Sequence, residues 1–156
     1  MLRGPGGQPE AAPQPGIADL DEMLARIRNT GADVAMTVCG ERPDLPDSVE
    51  LCVYRIVQEA MTNISRHAPG ASATVDLRYT AGEVRLRIHD SGPARNGTWK
   101  PNGAKVAGFG LVGMRERVTA LGGSFEAGPD GNGGFEVSAC LPVSGDSPRN
   151  GDGTAR

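Results

Sequence analysis

Apolar residues recur with helical spacing at Ile17, Leu20, Met23, Leu24 and Ile27, and then alternate with polar ones through Val34, Met36 and Val38. The change of period predicts a helix followed by a strand. A polar, proline-containing connection at 40–47 leads into the longest helical pattern of the chain. It starts near Asp47-Ser48, runs to about His67 on Leu51, Val53, Tyr54, Ile56, Val57, Ala60, Met61 and Ile64, and is stopped by Pro69-Gly70. Two alternating runs, Val75-Leu77-Tyr79 and Val84-Leu86-Ile88, meet at Thr80-Ala81-Gly82-Glu83 and predict a hairpin whose second strand ends on Asp90. Residues 91–110 are glycine-rich and aperiodic, and a loop of that length inside a compact domain predicts a lid. A short helix over 111–121, ended by Gly122-Gly123, precedes a second hairpin: Ser124-Phe125-Glu126 and Phe135-Val137-Ala139-Leu141 across a turn at 128–134. The elements predict an α/β (α+β) two-layer sandwich, with helices on one face of a mixed, mostly antiparallel sheet.

Composition adds boundaries to this pattern. Of the 156 residues, 1–16 and 144–156 are dominated by Pro, Gly and polar side chains that bury too little apolar surface to order themselves. They are expected to be disordered tails around one domain at 17–143. The formal charge of −3 offers no basic face for nucleic acid. No apolar run approaches the roughly 18 residues that span a bilayer, and Met1-Leu2-Arg3-Gly4-Pro5 lacks the apolar stretch of a signal peptide, so the segment is expected to be soluble, without direct membrane contact. Cys39, Cys52 and Cys140 have no C-x-x-C spacing and sit beside apolar positions, which predicts reduced core residues and a cytoplasmic setting.

Three segments carry candidate chemistry. Glu59, Asn63 and His67 stand at i, i+4 and i+8, about 40° apart per step, and so line one stripe of the long helix. Ile88-His89-Asp90-Ser91-Gly92 ends a strand on a carboxylate beside a glycine. Gly108-Phe109-Gly110-Leu111-Val112-Gly113-Met114 is a glycine-rich turn opening a helix, able to offer backbone N–H groups to phosphate. Each has a plainer reading: a solvated helix face, a common Asp-Ser-Gly turn, a dipole-capping His67 and a structural His89. Their order and spacing together propose a nucleotide site.

At these residues the sequence resembles the catalytic ATP-binding domain of sensor histidine kinases, in the superfamily that includes gyrase, mismatch-repair and heat-shock-chaperone ATPases. The likeness runs from about 17 to 143 and is strongest to the nitrate-sensor and thermosensor subgroup, through Tyr54-Arg55-Ile56-Val57-Gln58-Glu59-Ala60-Met61-Thr62-Asn63 and the run from Gly108 to Arg117. The resemblance implies the Bergerat-type ATP-binding fold. It also implies that Asn63 coordinates Mg²⁺ on the ATP phosphates and that Glu59 orients water or the acceptor and supports the metal shell. Arg66 and His67 would reach phosphate, Asp90 would accept the adenine amino group, and Gly92 would let the backbone pass the base. Gly108, Gly110, Leu111 and Gly113 would wrap the phosphates at the lid's end. One amide oxygen suits Mg²⁺, which keeps several waters. A carboxylate facing the base rejects guanine, whose carbonyl would set two acceptors against each other. The pattern departs from the family at Ala94, where a further glycine is usual. The acceptor is also elsewhere, since His67 and His89 are the only histidines and neither sits in a dimerising hairpin. The implied activity is therefore transfer of the γ-phosphoryl to a histidine on a separate dimerisation domain, and through it to a response regulator. An anti-sigma-factor-type serine kinase and a non-catalytic nucleotide-binding module are the alternatives.

Overall fold

The computed structural model describes residues 12–93 and 109–143. Ala94, Trp99, Gly108 and most of the expected lid lie outside them, as do nearly all of the two expected tails. The chain opens with a 3-10 turn, Ile17–Asp19, then α1 (Leu20–Asn29), β1 (Asp33–Cys39), α2 (Asp47–His67), β2 (Ser72–Tyr79), β3 (Glu83–Asp90), α3 (Phe109–Ala120), β4 (Ser124–Pro129) and β5 (Phe135–Pro142). The expected first helix thus begins on a tighter turn, tied by the Gly16 N–H donating to the Asp19 carboxylate at 2.8 Å.

The five strands form one sheet in the order β1-β2-β3-β5-β4, with β1 parallel to β2 and the other pairs antiparallel. The parallel pair follows from the crossover through α2, and the β2–β3 and β4–β5 pairs from the tight turns at 80–82 and 130–134, while β3 and β5 pair across the intervening α3 and β4. Alternation sends Ala73, Val75, Leu77 and Tyr79 of β2 and Val84, Leu86 and Ile88 of β3 to one face, where all are buried. There they meet Val53, Ile56, Val57, Ala60 and Met61 of α2, Leu20 and Leu24 of α1, and Met114 and Val118 of α3. The opposite face carries polar pairs such as Arg87 with Glu136 at 2.6 Å. The expected two-layer arrangement is therefore observed, with a helix layer on one face of a mixed sheet.

Helix α2 has no side-chain cap; the Pro46 carbonyl accepts the Val49 and Glu50 N–H groups at 3.0 and 3.1 Å. Asp47 and Glu50 in its first turn and Arg66 and His67 in its last complement the helix dipole. The cysteine expectation needs correction. All three are free, but only Cys52 is buried; Cys39 is exposed on the edge strand β1 and Cys140 is half-buried. Both of these occupy the polar phase of their strands, which the apolar neighbours in sequence concealed.

Candidate functional site

The inward phase of β3 reads Val84, Leu86, Ile88 and then Asp90. The strand therefore delivers a carboxylate where its pattern has delivered only aliphatic groups, and Asp90 is 5% exposed, the only buried charged residue among those described. Its Oδ1 accepts the Gly92 N–H at 2.8 Å. Burial pushes the Asp90 carboxyl above its usual range, opposed by the Gly92 N–H and the charge of His89. An ionised carboxylate has about four acceptor sites on its two oxygens, so the backbone N–H groups of Gly92 and Phe135 leave it capacity to bind.

Asp90 opens onto a cavity of about 110 Å³ beneath the C-terminal turns of α2. Asn63 and His67 border it from α2, Leu111 from α3, and Gly92 and Pro93 from the segment after β3. Its remaining walls are apolar or backbone: Ile88, Val137, Phe135, and Gly133-Gly134 of the β4–β5 turn. The arrangement is a largely apolar pocket with one buried carboxylate, continuing toward an amide and an imidazole on α2.

Of the residues expected from sequence, Asn63, His67, Asp90, Gly92 and Leu111 meet at this cavity. Glu59 lies one turn above Asn63 and faces α3: a Cβ built on Gly110 would fall 2.7 Å from the Glu59 carboxyl carbon. Arg66 is exposed and does not border the cavity. The glycine-rich run differs from expectation in form. Phe109, Gly110, Leu111 and Gly113 are already helical, so the helix starts two residues earlier than its apolar spacing predicted, and the expected lid loses its last two positions. Gly113 has open space where a Cβ would stand. Arg115 extends over the Phe125 ring, 5.6 Å from its centroid, where cation–π attraction holds it.

Sequence reasoning missed the β4–β5 turn as part of the site. Gly92, at φ +79°, has no room for a side chain because its Cβ would lie 2.8 Å from the Gly133 carbonyl carbon, and a Cβ on Gly134 would collide with the Asp90 carbonyl oxygen. The signal was present in Gly131, Gly133 and Gly134, more glycine than a hairpin of this size requires. His89, on the outer face, bonds Asp130 of that turn through Nε2 at 2.7 Å, in keeping with the structural role expected for it.

Residues 48–145 match the family described as histidine kinase-, DNA gyrase B-, and HSP90-like ATPase. The chain belongs to this ATPase family. It is 32% identical over 112 residues to the sensor histidine kinase LnrJ of Bacillus subtilis, covering 72% of this chain and 26% of that protein. It is 31% identical over 115 residues to the signal transduction histidine-protein kinase/phosphatase DegS of Brevibacillus brevis, covering 74% of this chain and 29% of that one. The chain thus spans little more than a quarter of these relatives. The blue-light activated histidine kinase EL346 of Erythrobacter litoralis shares the fold, with a TM-score of 0.62 at 21% identity over 85% of this chain and 47% of that one. Family and fold together make the chain an ATP-binding domain of the histidine-kinase kind. Among the described residues no helix is long and apolar enough to cross a membrane.

Proposed function

We propose that this chain is the catalytic domain of a cytoplasmic, two-component sensor histidine kinase of the nitrate-sensor and thermosensor-like subgroup. It would bind ATP with Mg²⁺ and donate the γ-phosphoryl to a histidine on a separate dimerisation domain, which passes it to a response regulator. The observation that carries the reading is Asp90, a buried carboxylate at the end of a largely apolar pocket. Burying a carboxylate is costly unless a partner uses it, and adenine presents an amino group to such a partner. Asn63 and His67 border the same cavity on α2, with Glu59 one turn above, so the triphosphate extends along that helix.

Asn63 offers the amide oxygen that suits Mg²⁺, and the donor set fits the ion, since it keeps most of its waters and takes few protein oxygens. When bound, Mg²⁺ neutralises phosphate charge. Glu59 orients the acceptor or a water and supports the shell around Asn63. His67 and Arg66, in the last turn of α2, approach phosphate with cationic or hydrogen-bonding groups. Gly110, Leu111 and Gly113 place the first turns of α3, at the positive end of its dipole, alongside the phosphates, and Gly108 precedes them in the sequence. Catalysis is then positioning and charge neutralisation, as phosphoryl transfer requires.

Calorimetric titration with ATP and GTP, with and without Mg²⁺, tests the pocket, and ATP-selective binding is expected. Addition of a separately purified dimerisation domain from a sensor histidine kinase tests transfer. The expected product is an acid-labile phosphohistidine, abolished in Asn63→Ala. Acid-stable phosphoserine on an anti-sigma-factor antagonist instead would overturn the histidine assignment, and selective binding without any transfer would leave a nucleotide-sensing module.

A further inference from the structure

We propose that Asp130 is a positioning residue for adenine recognition, locking the β4–β5 turn against the Asp90 end of β3 by way of His89. The proposal rests on the reading of the cavity as an adenine pocket and extends it to a residue outside the cavity's lining.

The turn at 130–134 supplies Gly133 and Gly134 to the cavity wall. Gly131 and Gly133 have φ of +84° and +94°, so the segment is built from residues with little conformational preference of their own. No side chain of those glycines fixes how far the wall stands from Asp90. Asp130 does. Its Oδ1 accepts the N–H groups of Asn132 at 2.7 Å and Gly134 at 3.0 Å, and its own N–H donates to the Gly134 carbonyl at 3.0 Å. Its Oδ2 bonds His89 Nε2 at 2.7 Å. The His89 bond, followed by the Asn132 N–H, holds the Asp130 carboxyl below the usual carboxylate range.

His89 precedes Asp90 in β3, so the two side chains leave opposite faces of one strand. One faces the cavity; the other reaches round the sheet to the turn. With Gly92 against Gly133 and Gly134 against the Asp90 carbonyl, wall and recognition carboxylate form one backbone-on-backbone unit, and His89–Asp130 is the side-chain bond that reaches from β3 to the turn itself. Losing that tie frees the glycine turn to swing off the base edge without opening the hydrophobic core, which lies beyond Ile88.

The test is calorimetric binding of ATP and GTP to the full chain and its variants. Asp130→Ala is expected to weaken ATP about tenfold, with stoichiometry near one and with ATP/GTP selectivity narrowed by a similar factor. Asp130→Asn keeps an oxygen for the two N–H groups and an amide donor for His89, and is expected to restore affinity to within about threefold of the parent. His89→Ala and His89→Gln repeat the contrast from the other partner should Asp130→Ala fail to fold. ATP affinity and selectivity unchanged in the folded alanine variants would overturn the proposal. So would a loss seen only as lowered stoichiometry, which marks unfolded protein and no change in the pocket. If the parent chain binds no ATP, the adenine reading itself falls and this proposal falls with it; parent binding with unaltered variants sinks only the role of Asp130.

Discussion

Asp90, a buried carboxylate, and Gly113, a glycine inside a helix, each cost the fold stability. Burial raises the Asp90 carboxyl, so the folded chain keeps this proton to higher pH than the unfolded one. Between the two values the folded state binds more protons, and stability falls as pH rises; above both, the full cost remains. Asp90→Asn is therefore expected to raise the thermal midpoint at neutral pH and to remove this falling contribution from the acid side of the stability curve. The same variant should weaken ATP by about 1.5–3 kcal/mol, the scale of a lost charged hydrogen bond. Melting curves from pH 4 to 7, read as the difference between parent and variant, cancel the opposite trend of Asp130, Glu136 and Glu83, whose lowered carboxyls lose stability as pH falls. An unchanged affinity would remove Asp90 from adenine recognition. Gly113 gives the parallel case. It is helical with open space at its Cβ, so Gly113→Ala should stabilise the chain by about 0.5–1 kcal/mol. If the phosphates pass over that turn, the added methyl will lower ATP affinity, and a variant that is both more stable and equally tight would exclude Gly113 from the site.

At the scale of elements, what sequence could show depended on whether the contact was local. Helix α2 and strands β2, β3 and β5 were legible because their apolar periods, of 3.6 and 2, record which side each buries. Asn63, His67 and Asp90 were legible because strand phase and helix stripe place them without knowledge of packing. The β4–β5 turn was not, since its link to Asp90 depends on β5 pairing between β3 and β4, a long-range arrangement no local pattern encodes. The start of α3 was missed for a related reason. Phe109 and Gly110 break its apolar spacing, yet Gly110 is where α3 meets α2, with the Glu59 carboxylate in the space a side chain would fill. This seat predicts a separation of effects. In Gly110→Ala the methyl meets the end of a flexible side chain, so the thermal midpoint should stay within a few degrees while Glu59 swings away. Because a misplacement of about 1 Å at a reacting centre costs about 10²-fold, phosphoryl transfer should fall on that scale with ATP affinity nearly kept. Transfer at the parent's rate would deny Glu59 a part in it.

For the whole molecule, the decisive property is linkage between nucleotide and fold. A ligand that binds only the native state stabilises it by about 2.7 kcal/mol at a concentration 100 times its Kd, which moves the midpoint of a domain this size by roughly 5–15 °C. The pocket is assembled from the end of α2, the end of β3, the start of α3 and the β4–β5 turn, four regions that come together only in the finished sheet. ATP should therefore report on the complete fold and not on any fragment of it. Saturating ATP with Mg²⁺ is expected to raise the midpoint by that amount, and GTP at the same concentration by much less. Removing Mg²⁺ with a chelator should shrink the ATP shift without erasing it, because the base end of the pocket uses no metal. The Asp90→Asn variant should start from a higher midpoint and, at the same ATP concentration, show a shift cut to about half or less of the parent's. A thermal-shift titration reads all four conditions. Equal shifts for ATP and GTP would mean that the phosphates alone are recognised, and that result would overturn the adenine pocket read from the buried carboxylate of Asp90.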